Sequence, residues 1–404
     1  MTSAGAVATE PAKVRGMAWD HPRARNPLAA ISAEWSQRRH AHVHWDARPL
    51  KDFEDQPLQE LARAYDLVLI DYPFVGYAAT SGHIVPVNAW VSAEYLADQC
   101  EHSVGPSYGS YSWGGKQWAL AIDAACQVSA VREDLWNSSH LGALPHTWAH
   151  VEELASAARS APARIAIPLN PNHAYCAFLS VGVALADADF WPIGAHVNRD
   201  AGQEALDFLR RLAPMLHPAS RCDDPIAISD RMSSSDEIVC VPLMFGYSSY
   251  ARDGFRPQVL RFFDAPRGIS GRRGSVLGGV GIALSAHAAS REIAADLARH
   301  IAANDVQRGL YAQAGGQPGH AAAWESAQVN AATGNFFSAT RSTMERAFIR
   351  PRVAGHRRFQ QLAGELIHEF IWTGRLSADA CLREYARLVD ALLADWLGSE
   401  SAKS

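Results

Sequence analysis

The stretch that decides the fold is Trp118-Ala-Leu-Ala-Ile-Asp-Ala-Ala-Cys-Gln-Val-Ser-Ala-Val131. This nearly unbroken apolar run is longer than an ordinary β-strand, which has about five or six residues. Its length predicts a strand that leaves one lobe, passes through a hinge and enters a second lobe. Asp123, Cys126 and Gln127 then lie at the crossing, where a cleft between the lobes would present them to a ligand.

Length and charge exclude several classes of protein. The 404 residues suffice for two or three domains with apolar cores. The 37 basic and 42 acidic residues give a formal net charge of −5, which does not favour nucleic acid or an anionic membrane surface. We therefore expect neither nucleic-acid binding nor membrane insertion. The glycines of 278–281 lack dinucleotide-binding spacing, and we expect no cofactor and no metal.

The N-terminal segment and the cysteines bear on cellular location. Residues 1–13 lack the charged and apolar segments of a secretory signal peptide. The six cysteines form no C-x-x-C pair and no zinc-type Cys/His spacing, which predicts free thiols in a reducing compartment. They are Cys100, Cys126, Cys176, Cys222, Cys240 and Cys381. We expect a cytoplasmic protein, and the alternative is a periplasmic one whose signal has been removed.

The first third of the chain alternates strand and helix patterns. Its predicted elements are strands over 14–19, 42–45 and 66–71 and helices over 28–39 and 52–65. Asn26 and Pro27 predict the start of the first helix, as an N-cap and a proline at the first helical position. This alternation predicts a parallel α/β sheet, in which ligands bind beyond the carboxyl ends of the strands.

The rest of the chain predicts a second α/β unit and a return to the first. The strand predicted over 259–264 is a second hinge, and Ser290 is predicted to start a long helix that ends near Ala314. The other predicted elements are strands over 237–245 and 274–284 and final helices around 339–347, 356–372 and 377–397.

Five regions match a known family in the same order along the chain. They are 65–76, 81–87, 113–136, 241–252 and 277–287, the last with 306–311 and 315–319. Together they resemble the family 1 extracellular solute-binding proteins, the sugar-binding subunits of ABC importers. The chain departs from the family in its N-terminus, where no export signal is recognised, and a partner ABC permease is implied only if the protein is exported.

The resemblance implies an α/β, two-lobed periplasmic-binding-protein-like type II fold. Each lobe is a mixed sheet flanked by helices, hinge strands join the lobes, and the C-terminal region is helical. The implied boundaries are 1–127 for the first part of lobe 1, 128–262 for the first part of lobe 2, 263–330 for the return to lobe 1, and 331–404 for C-terminal helices packing mainly on lobe 2.

The candidate ligand-binding residues lie near predicted strand ends or at the crossing. Asp71 and Asp123 offer carboxylates to ligand hydroxyl groups, and the alternative for each is a helix cap or a local ion pair. Trp113 either stacks on the ligand or fills the lobe core. The full set is Trp19, Asp20, His21, Asp71, Tyr72, Trp113, Asp123, Gln127, Tyr247, Ser248, Ser249, Tyr250 and Gly279.

Two of these groups carry their own alternatives. The aromatic rings and hydroxyl groups of 247–250 suit a polyol or small polar ring, or else pack as an ordinary loop. Asp20 and His21 suit acid–base chemistry, or else belong to a turn that leaves the nearby Arg23 on the surface.

The sequence leaves two functions open. The first is closure of the two lobes on a small polar, carbohydrate-like molecule, with no enzymatic step. The alternative is a cytosolic enzyme on the same fold, with Cys126 as nucleophile or with Asp20, His21 and Asp71 as the acid–base group. A catalytic cysteine needs a lowered pKa, and the alternative for Cys126 is a small residue packed at the hinge.

Overall fold

A computed structural model describes residues 11–49, 57–186 and 198–401, with side chains of the last helix described as far as residue 394. The strands are β1 Ala12–Trp19, β2 Ala41–Arg48, β3 Leu67–Asp71, β4 Ile84–Val85, β5 Ser112–Trp113, β6 Lys116–Gln117, β7 Leu120–Val131, β8 Arg164–Ile165, β9 Ile238–Phe245, β10 Arg261–Phe263 and β11 Leu277–Ser285.

Helices follow most of the strands. They are α1 Pro22–Arg39, α2 Leu58–Ala64, α3 Val75–Ser81, α4 Ala93–Glu101, α5 Ser107–Ser110, α6 Glu133–Ser138, α7 Trp148–Ala158, α8 Pro171–Leu185, α9 Arg199–Leu212, α10 Pro225–Ser234, α11 Arg291–Ala302, α12 Asn304–Val306, α13 Ala321–Glu325, α14 Ala327–Ala331, α15 Phe336–Met344, α16 His356–Thr373 and α17 Ala378–Ser401. The helix predicted over 52–65 begins outside the described residues, and its described part is α2.

The main sheet is mixed and has the order β2-β1-β3-β11-β7-β9-β8, with β10 on β7 and β4 on β11. Strand β1 is parallel to β2 and β3, whereas β11 runs antiparallel to β3 and β7. The helices flank this sheet, so the predicted two-lobed α/β fold is confirmed.

Strand β7 crosses between the two lobes. Its first part, Leu120 to Cys126, pairs with β11. Its second part, Gln127 to Val131, pairs with β9 and β10. One strand therefore belongs to the sheets of both lobes, which confirms the crossing that the long apolar run predicts.

The apolar core consists of two clusters. The larger cluster lies around β1, β3, the first part of β7 and β11, and continues to the segment 247–260. The second cluster lies between helices α7, α8 and α9 and the C-terminal helices α16 and α17. Aromatic contacts join these helices. The ring centroids of Phe178 in α8 and Tyr385 in α17 are 5.3 Å apart, and those of Tyr175 in α8 and Phe359 in α16 are 5.9 Å apart. The domain boundaries given above stay a prediction.

Helix α1 begins at Pro22 instead of after Pro27, so its predicted start was wrong. The ring Nδ1 of His21 accepts the backbone N–H of Arg23 at 3.1 Å and caps the helix. The first turn also holds because the side chain of Arg23 pairs with Asp123. Pro27 therefore lies inside the helix.

The long helix predicted from Ser290 to Ala314 is interrupted, so this prediction was also wrong. Helix α11 ends at Ala302, and Ala303 has extended backbone angles. The amide nitrogen of Gln307 donates to the Ile301 carbonyl at 2.8 Å, and that of Gln99 donates to the Ala302 carbonyl at 3.3 Å. These side chains satisfy the carbonyl groups at the helix end.

Among the described residues, no helix is both long and apolar enough to cross a membrane. All six cysteines are free thiols, and only Cys100 and Cys222 are exposed.

Candidate ligand-binding cleft

A cavity of about 80 Å³ lies between the lobes, where the ends of β1, β3 and β9 meet the middle of β7 and the start of β11. Three helices begin at its edge, α1, α8 and α10, and each has a proline in its first turn. The N-terminal end of a helix carries a partial positive charge, so the backbone around this cavity favours ligand oxygen atoms.

Arg23 and Asp123 form a buried ion pair on one side of the cavity. The Nε of Arg23 donates to one carboxylate oxygen of Asp123 at 2.8 Å, and its Nη2 donates to the other at 2.5 Å. Burial raises the pKa of Asp123, and the neighbouring Arg23 opposes this shift. Arg23 therefore occupies both carboxylate oxygens. Of the two alternatives for Asp123, ligand contact or a local ion pair, the structure has the ion pair.

Arg23 also contacts the far side of the cleft. Its Nη1 donates to the carbonyl of Gly246 at 3.2 Å, just beyond the end of β9. Its guanidinium lies 4.7 Å from the centre of the Tyr247 ring, within the range of a cation–π contact. Arg23 is 3% exposed, so the alternative that leaves it on the surface was wrong.

A second ion pair, between Asp71 and Arg350, lies on the other side of the cavity. The Nη2 of Arg350 donates to Oδ2 of Asp71 at 3.3 Å, a long contact. The Oδ1 atom of Asp71 is buried and has no hydrogen-bond partner among the described residues. Burial raises the pKa of Asp71, and Arg350 opposes the shift. The Asp71 side chain lines the cavity and is 22% exposed.

Other groups fix the position of Arg350. Its Nε donates to the hydroxyl oxygen of Tyr72 at 2.9 Å, and its Nη1 donates to the side-chain oxygen of Gln360 at 2.8 Å. The Tyr72 hydroxyl in turn donates to the carbonyl of Leu277 at 3.0 Å. Arg350 therefore links the first lobe, through Asp71 and Tyr72, to helix α16 of the C-terminal region.

Aromatic side chains and a close backbone approach shape the rest of the cavity. Trp19, Phe245 and Tyr247 line it, which gives apolar faces for the carbon atoms of a ligand. Gly279 lines it as well, with a φ of +115°. A Cβ atom at this position would lie 2.3 Å from the carbonyl oxygen of Asp123, so only glycine lets the two strands approach here.

His21 does not line the cavity but packs against Tyr247, which does. Its ring is 5.0 Å from the ring of Tyr247 in an edge-to-face contact. Burial, with a further contribution from Arg23, lowers the pKa of His21 to about 3. The ring is therefore neutral at pH 7 and serves as the cap of α1.

Cys126 has the properties of a buried structural residue. Burial raises the pKa of its thiol to about 12, although a hydrogen bond with Ser275 opposes the shift. The thiol is therefore protonated at neutral pH, whereas a nucleophile must be a thiolate. Since Cys126 also lies outside the cavity lining, the structure gives the thiol-based enzyme alternative no support.

The predicted ligand residues divide into two groups by position. Those in the cavity lining are Trp19, Asp71, Asp123, Tyr247 and Gly279. Those outside it are Asp20, His21, Tyr72, Trp113, Gln127, Ser248, Ser249 and Tyr250.

The residues outside the lining have other contacts. Exposed Asp20 forms an ion pair with Arg25 at 3.0 Å. Buried Gln127 accepts a hydrogen bond from Ser180 at 2.5 Å, and the Tyr250 hydroxyl donates to Asp230 at 2.8 Å.

The remaining members of this group are also engaged elsewhere. The carbonyl of Trp113 accepts the indole N–H of Trp118 at 3.0 Å. The backbone N–H of Ser248 donates to Gln317 at 3.0 Å, and Ser249 is buried in the same turn.

Sequence reasoning missed several lining residues, among them Arg350, Asn172, Pro225 and Phe245. Asn172 and Pro225 belong to the first turns of α8 and α10, and a proline at the first helical position is a recognisable signal for these helix starts. Arg350 lies in an irregular segment between α15 and α16, and no sequence pattern indicates that it reaches the cleft.

Comparison with solved structures gives the same fold many times over. MalE3 of T. maritima with bound maltose has 16% identity and a TM-score of 0.78, and the match covers 94% of this chain and 100% of that one. An ABC transporter solute-binding protein of Thermotoga lettingae with bound α-D-tagatose has 14% identity and a TM-score of 0.79, covering 95% and 100%.

A third structure is an ABC transporter solute-binding protein of Agrobacterium radiobacter in complex with ribitol. It has 16% identity and a TM-score of 0.78, covering 94% of this chain and 98% of that one. No protein-family model and no curated protein sequence matches the chain. The chain thus has the fold of the ABC-transporter solute-binding proteins, which confirms the resemblance at the level of the fold.

Proposed function

We propose that the protein binds a small polyhydroxylated molecule, a sugar or a polyol, in the cleft between its two lobes. The observation that carries this proposal is the carboxylate of Asp71, which lines the cavity, belongs to a side chain that is 22% exposed, and lies 3.3 Å from Arg350, a long contact. Such a carboxylate can accept a hydrogen bond from a ligand hydroxyl group.

The other groups at the cavity suit the same class of ligand. Arg23 and Arg350 keep N–H groups near the cavity, while the carboxylates of Asp71 and Asp123 balance their charges. The faces of Trp19 and Tyr247 suit the carbon–hydrogen surface of a sugar. Because the charges balance, the cavity favours an uncharged ligand over a charged one. Carboxylate oxygens that can accept hydrogen bonds from hydroxyl groups, together with aromatic faces, favour a polyol.

Structures with the same fold support this ligand class. They hold maltose, α-D-tagatose, ribitol and, in a protein of Agrobacterium vitis, D-mannitol. Because all of them share less than 25% identity with this chain, they identify compounds to test and do not identify its ligand.

Isothermal titration calorimetry with these four compounds tests the proposal. We expect at least one of them to bind, and Asp71→Asn to weaken its binding by about 1–3 kcal/mol because the acceptor charge is lost. The matched control is Asp20→Asn, at an exposed aspartate outside the lining, which should bind as the wild type does. No binding of any compound, or equal loss in both variants, contradicts the proposal.

The location of the protein forms part of the proposal. We propose cytoplasmic binding, with periplasmic binding and an ABC permease partner as the alternative for an exported chain. Fractionation of the cells that make the protein distinguishes these alternatives. Recovery with cytosolic markers supports the first, and recovery from the periplasm with a trimmed N-terminus supports the second.

A further inference from the structure

A cluster of two histidines and one aspartate lies away from the cleft, between the end of helix α4 and the segment that leads into α13. Asp98 and His102 are one helical turn apart on α4 and its C-terminal cap. His320 comes from the other segment, where its backbone pairs with that of Ser103. Residues far apart in the sequence thus meet here, which explains why no metal-binding spacing is visible in the chain.

The geometry of this cluster suits a metal ion. One potential ligand atom from each of Asp98, His102 and His320 lies within 4.8 Å of the other two. The two imidazole rings are stacked, with centroids 5.5 Å apart and planes inclined by 6°. A shared ion at about 2.0–2.2 Å from each ligand atom requires the exposed Asp98 and His102 side chains to rotate towards His320.

The carboxylate of Asp98 and one ring nitrogen of His102 are already neighbours. Nδ1 of His102 lies 3.0 Å from the carbonyl oxygen of Asp98 and 3.1 Å from the Asp98 carboxylate. Both partners are acceptors, so Nδ1 carries the proton in the metal-free protein. An ion bound between the carboxylate and Nδ1 displaces this proton to solvent.

His320 supplies the second observation that points to a ligand. It is 4% exposed, and its Nε2 atom is buried without a hydrogen-bond partner among the described residues. A cavity of about 10 Å³ adjoins it, also lined by Gln99, Ser103 and Tyr108. That space is of the size that holds one water molecule.

We propose that Asp98, His102 and His320 bind a divalent transition-metal ion of the Zn²⁺ type. Two imidazole nitrogens and one carboxylate oxygen are the donors of three-ligand zinc sites, whereas Mg²⁺ and Ca²⁺ prefer oxygen donors throughout. A water molecule completes the tetrahedron.

The bound ion changes the proton position on His320. In the structure its Nδ1 accepts the N–H of Ala322 at 3.2 Å, so the neutral ring carries its proton on Nε2. Coordination through Nε2 moves this proton to Nδ1 and releases that long hydrogen bond. This competing bond weakens the site.

A bound ion would also connect elements that lie beside the cleft. The backbone N–H of Gly319 donates to the carbonyl of Ile122 on β7 at 3.2 Å, and the N–H of Val104 donates to the carbonyl of Gly319 at 3.0 Å. The ion would tie α4 to this segment and hence to the crossing strand. Zn²⁺ should therefore raise the melting temperature as well as bind.

The test uses the full chain without an affinity tag, with Zn²⁺ as the probe and a chromogenic chelator as competitor. We expect one Zn²⁺ per chain, no comparable binding of Mg²⁺ or Ca²⁺, and a loss of affinity of roughly tenfold or more in His320→Ala. His102→Ala should show the same loss. Because His102 is exposed, this second variant keeps the test decisive if His320→Ala does not fold.

The matched control is His287→Ala, which removes an exposed histidine that is 2.9 Å from His83 in another part of the first lobe. It should leave the Zn²⁺ affinity and the Zn²⁺-dependent rise in melting temperature unchanged. Wild-type affinity in His102→Ala, or loss of binding in His287→Ala, would overturn the proposed site.

Discussion

Asp71 and Asp123 line the same cavity, but their carboxylates differ in how closely an arginine binds them. Arg23 occupies both oxygens of Asp123, at 2.5 and 2.8 Å. Arg350 reaches one oxygen of Asp71 at 3.3 Å, and the other oxygen has no hydrogen-bond partner among the described residues. Asp123 therefore belongs to the framework of the cleft, and the proposed ligand contact falls to Asp71.

Loss of one member of the buried Arg23–Asp123 pair should destabilise the protein strongly. Removing one member of a buried pair leaves the other charge without compensation, which costs about 3–5 kcal/mol. We expect Asp123→Asn to lower the free energy of unfolding by about this amount in urea denaturation. Asp20→Asn is the matched control, because the exposed Asp20–Arg25 pair should contribute less than about 1 kcal/mol. Similar losses in the two variants would contradict this view of the buried pair.

The lining residues differ in how far the sequence predicts them. Asp71 ends a short, fully apolar strand, and this pattern places it at the sheet edge where ligands bind. The sequence does not predict the position of Arg23 in the cleft, because Asn26 and Pro27 form a more usual helix start than His21 and Pro22. The true start at Pro22 puts Arg23 in the first turn of α1. Arg350 was missed because its position depends on the path of an irregular segment between two helices, and no local periodicity encodes that path.

At the scale of elements, continuous apolar patterns proved more informative than helix ends. The run from Leu120 to Val131 gives the crossing strand, because a length beyond that of one ordinary strand is visible without tertiary information. The break at Ala303 was not predictable, since it is stabilised by Gln99 and Gln307, and Gln99 comes from a distant helix. A helix end made by such long-range contacts has no local signal.

The segment 315–319 connects β7 with the end of β9 through one side chain, that of Gln317. Its Nε2 donates to the carbonyls of Ala124 at 2.8 Å and Gly246 at 3.2 Å, and its Oε1 accepts the N–H of Ser248 at 3.0 Å. Gln317 is fully buried. It therefore supports the cleft wall from outside the lining.

Gln317→Leu keeps the approximate volume and removes all three hydrogen bonds. Each buried group left without a partner costs about 1–3 kcal/mol, so we expect the free energy of unfolding to fall by at least about 2 kcal/mol. Gln313→Leu, at an exposed glutamine just before this segment, should change it by no more than about 0.5 kcal/mol. Denaturant unfolding of both variants measures this difference. An unchanged free energy of unfolding in Gln317→Leu would show that water satisfies the groups that Gln317 normally binds.

At the scale of the whole molecule, buried histidines make stability depend on pH. Burial lowers the pKa values of His21, His173 and His356 to about 3, from an ordinary value of 6.5. Below pH 6.5 the unfolded chain binds protons that the folded chain does not bind. The free energy of unfolding therefore falls as the pH decreases from about 6.5 towards 3, by about 2 kcal/mol per histidine at pH 5.

Replacing one of these histidines tests the sign and size of this effect. Between pH 7 and pH 5, His173→Gln should lose about 2 kcal/mol less stability than the wild type, because glutamine does not titrate. His42→Gln, at an exposed histidine, should keep the wild-type pH dependence. Urea denaturation at the two pH values gives the comparison, and an unchanged pH dependence in His173→Gln would show that folding does not lower the pKa of His173.

The size of the cleft predicts movement of the whole molecule. The cavity of about 80 Å³ is smaller than the roughly 300–1,000 Å³ of most small-molecule sites, so we expect the proposed ligand to enter through a wider state. The contact between Arg23 and the Gly246 carbonyl holds the cleft narrow here, and a filled cleft should add further contacts across it. Two lobes joined by extended strands are suited to this hinge opening and closing.

Small-angle X-ray scattering should detect this closure. A compact chain of 404 residues has a radius of gyration of about 22 Å, and we expect the ligand-saturated protein to approach this value while the free protein exceeds it. At the same ligand concentration, Asp71→Asn should contract less because it binds more weakly. The ligand is the compound that calorimetry identifies, so occupancy is known in each sample. Equal radii with and without bound ligand would show that the lobes are held rigidly, because a hinge that closes on its ligand must shorten the molecule.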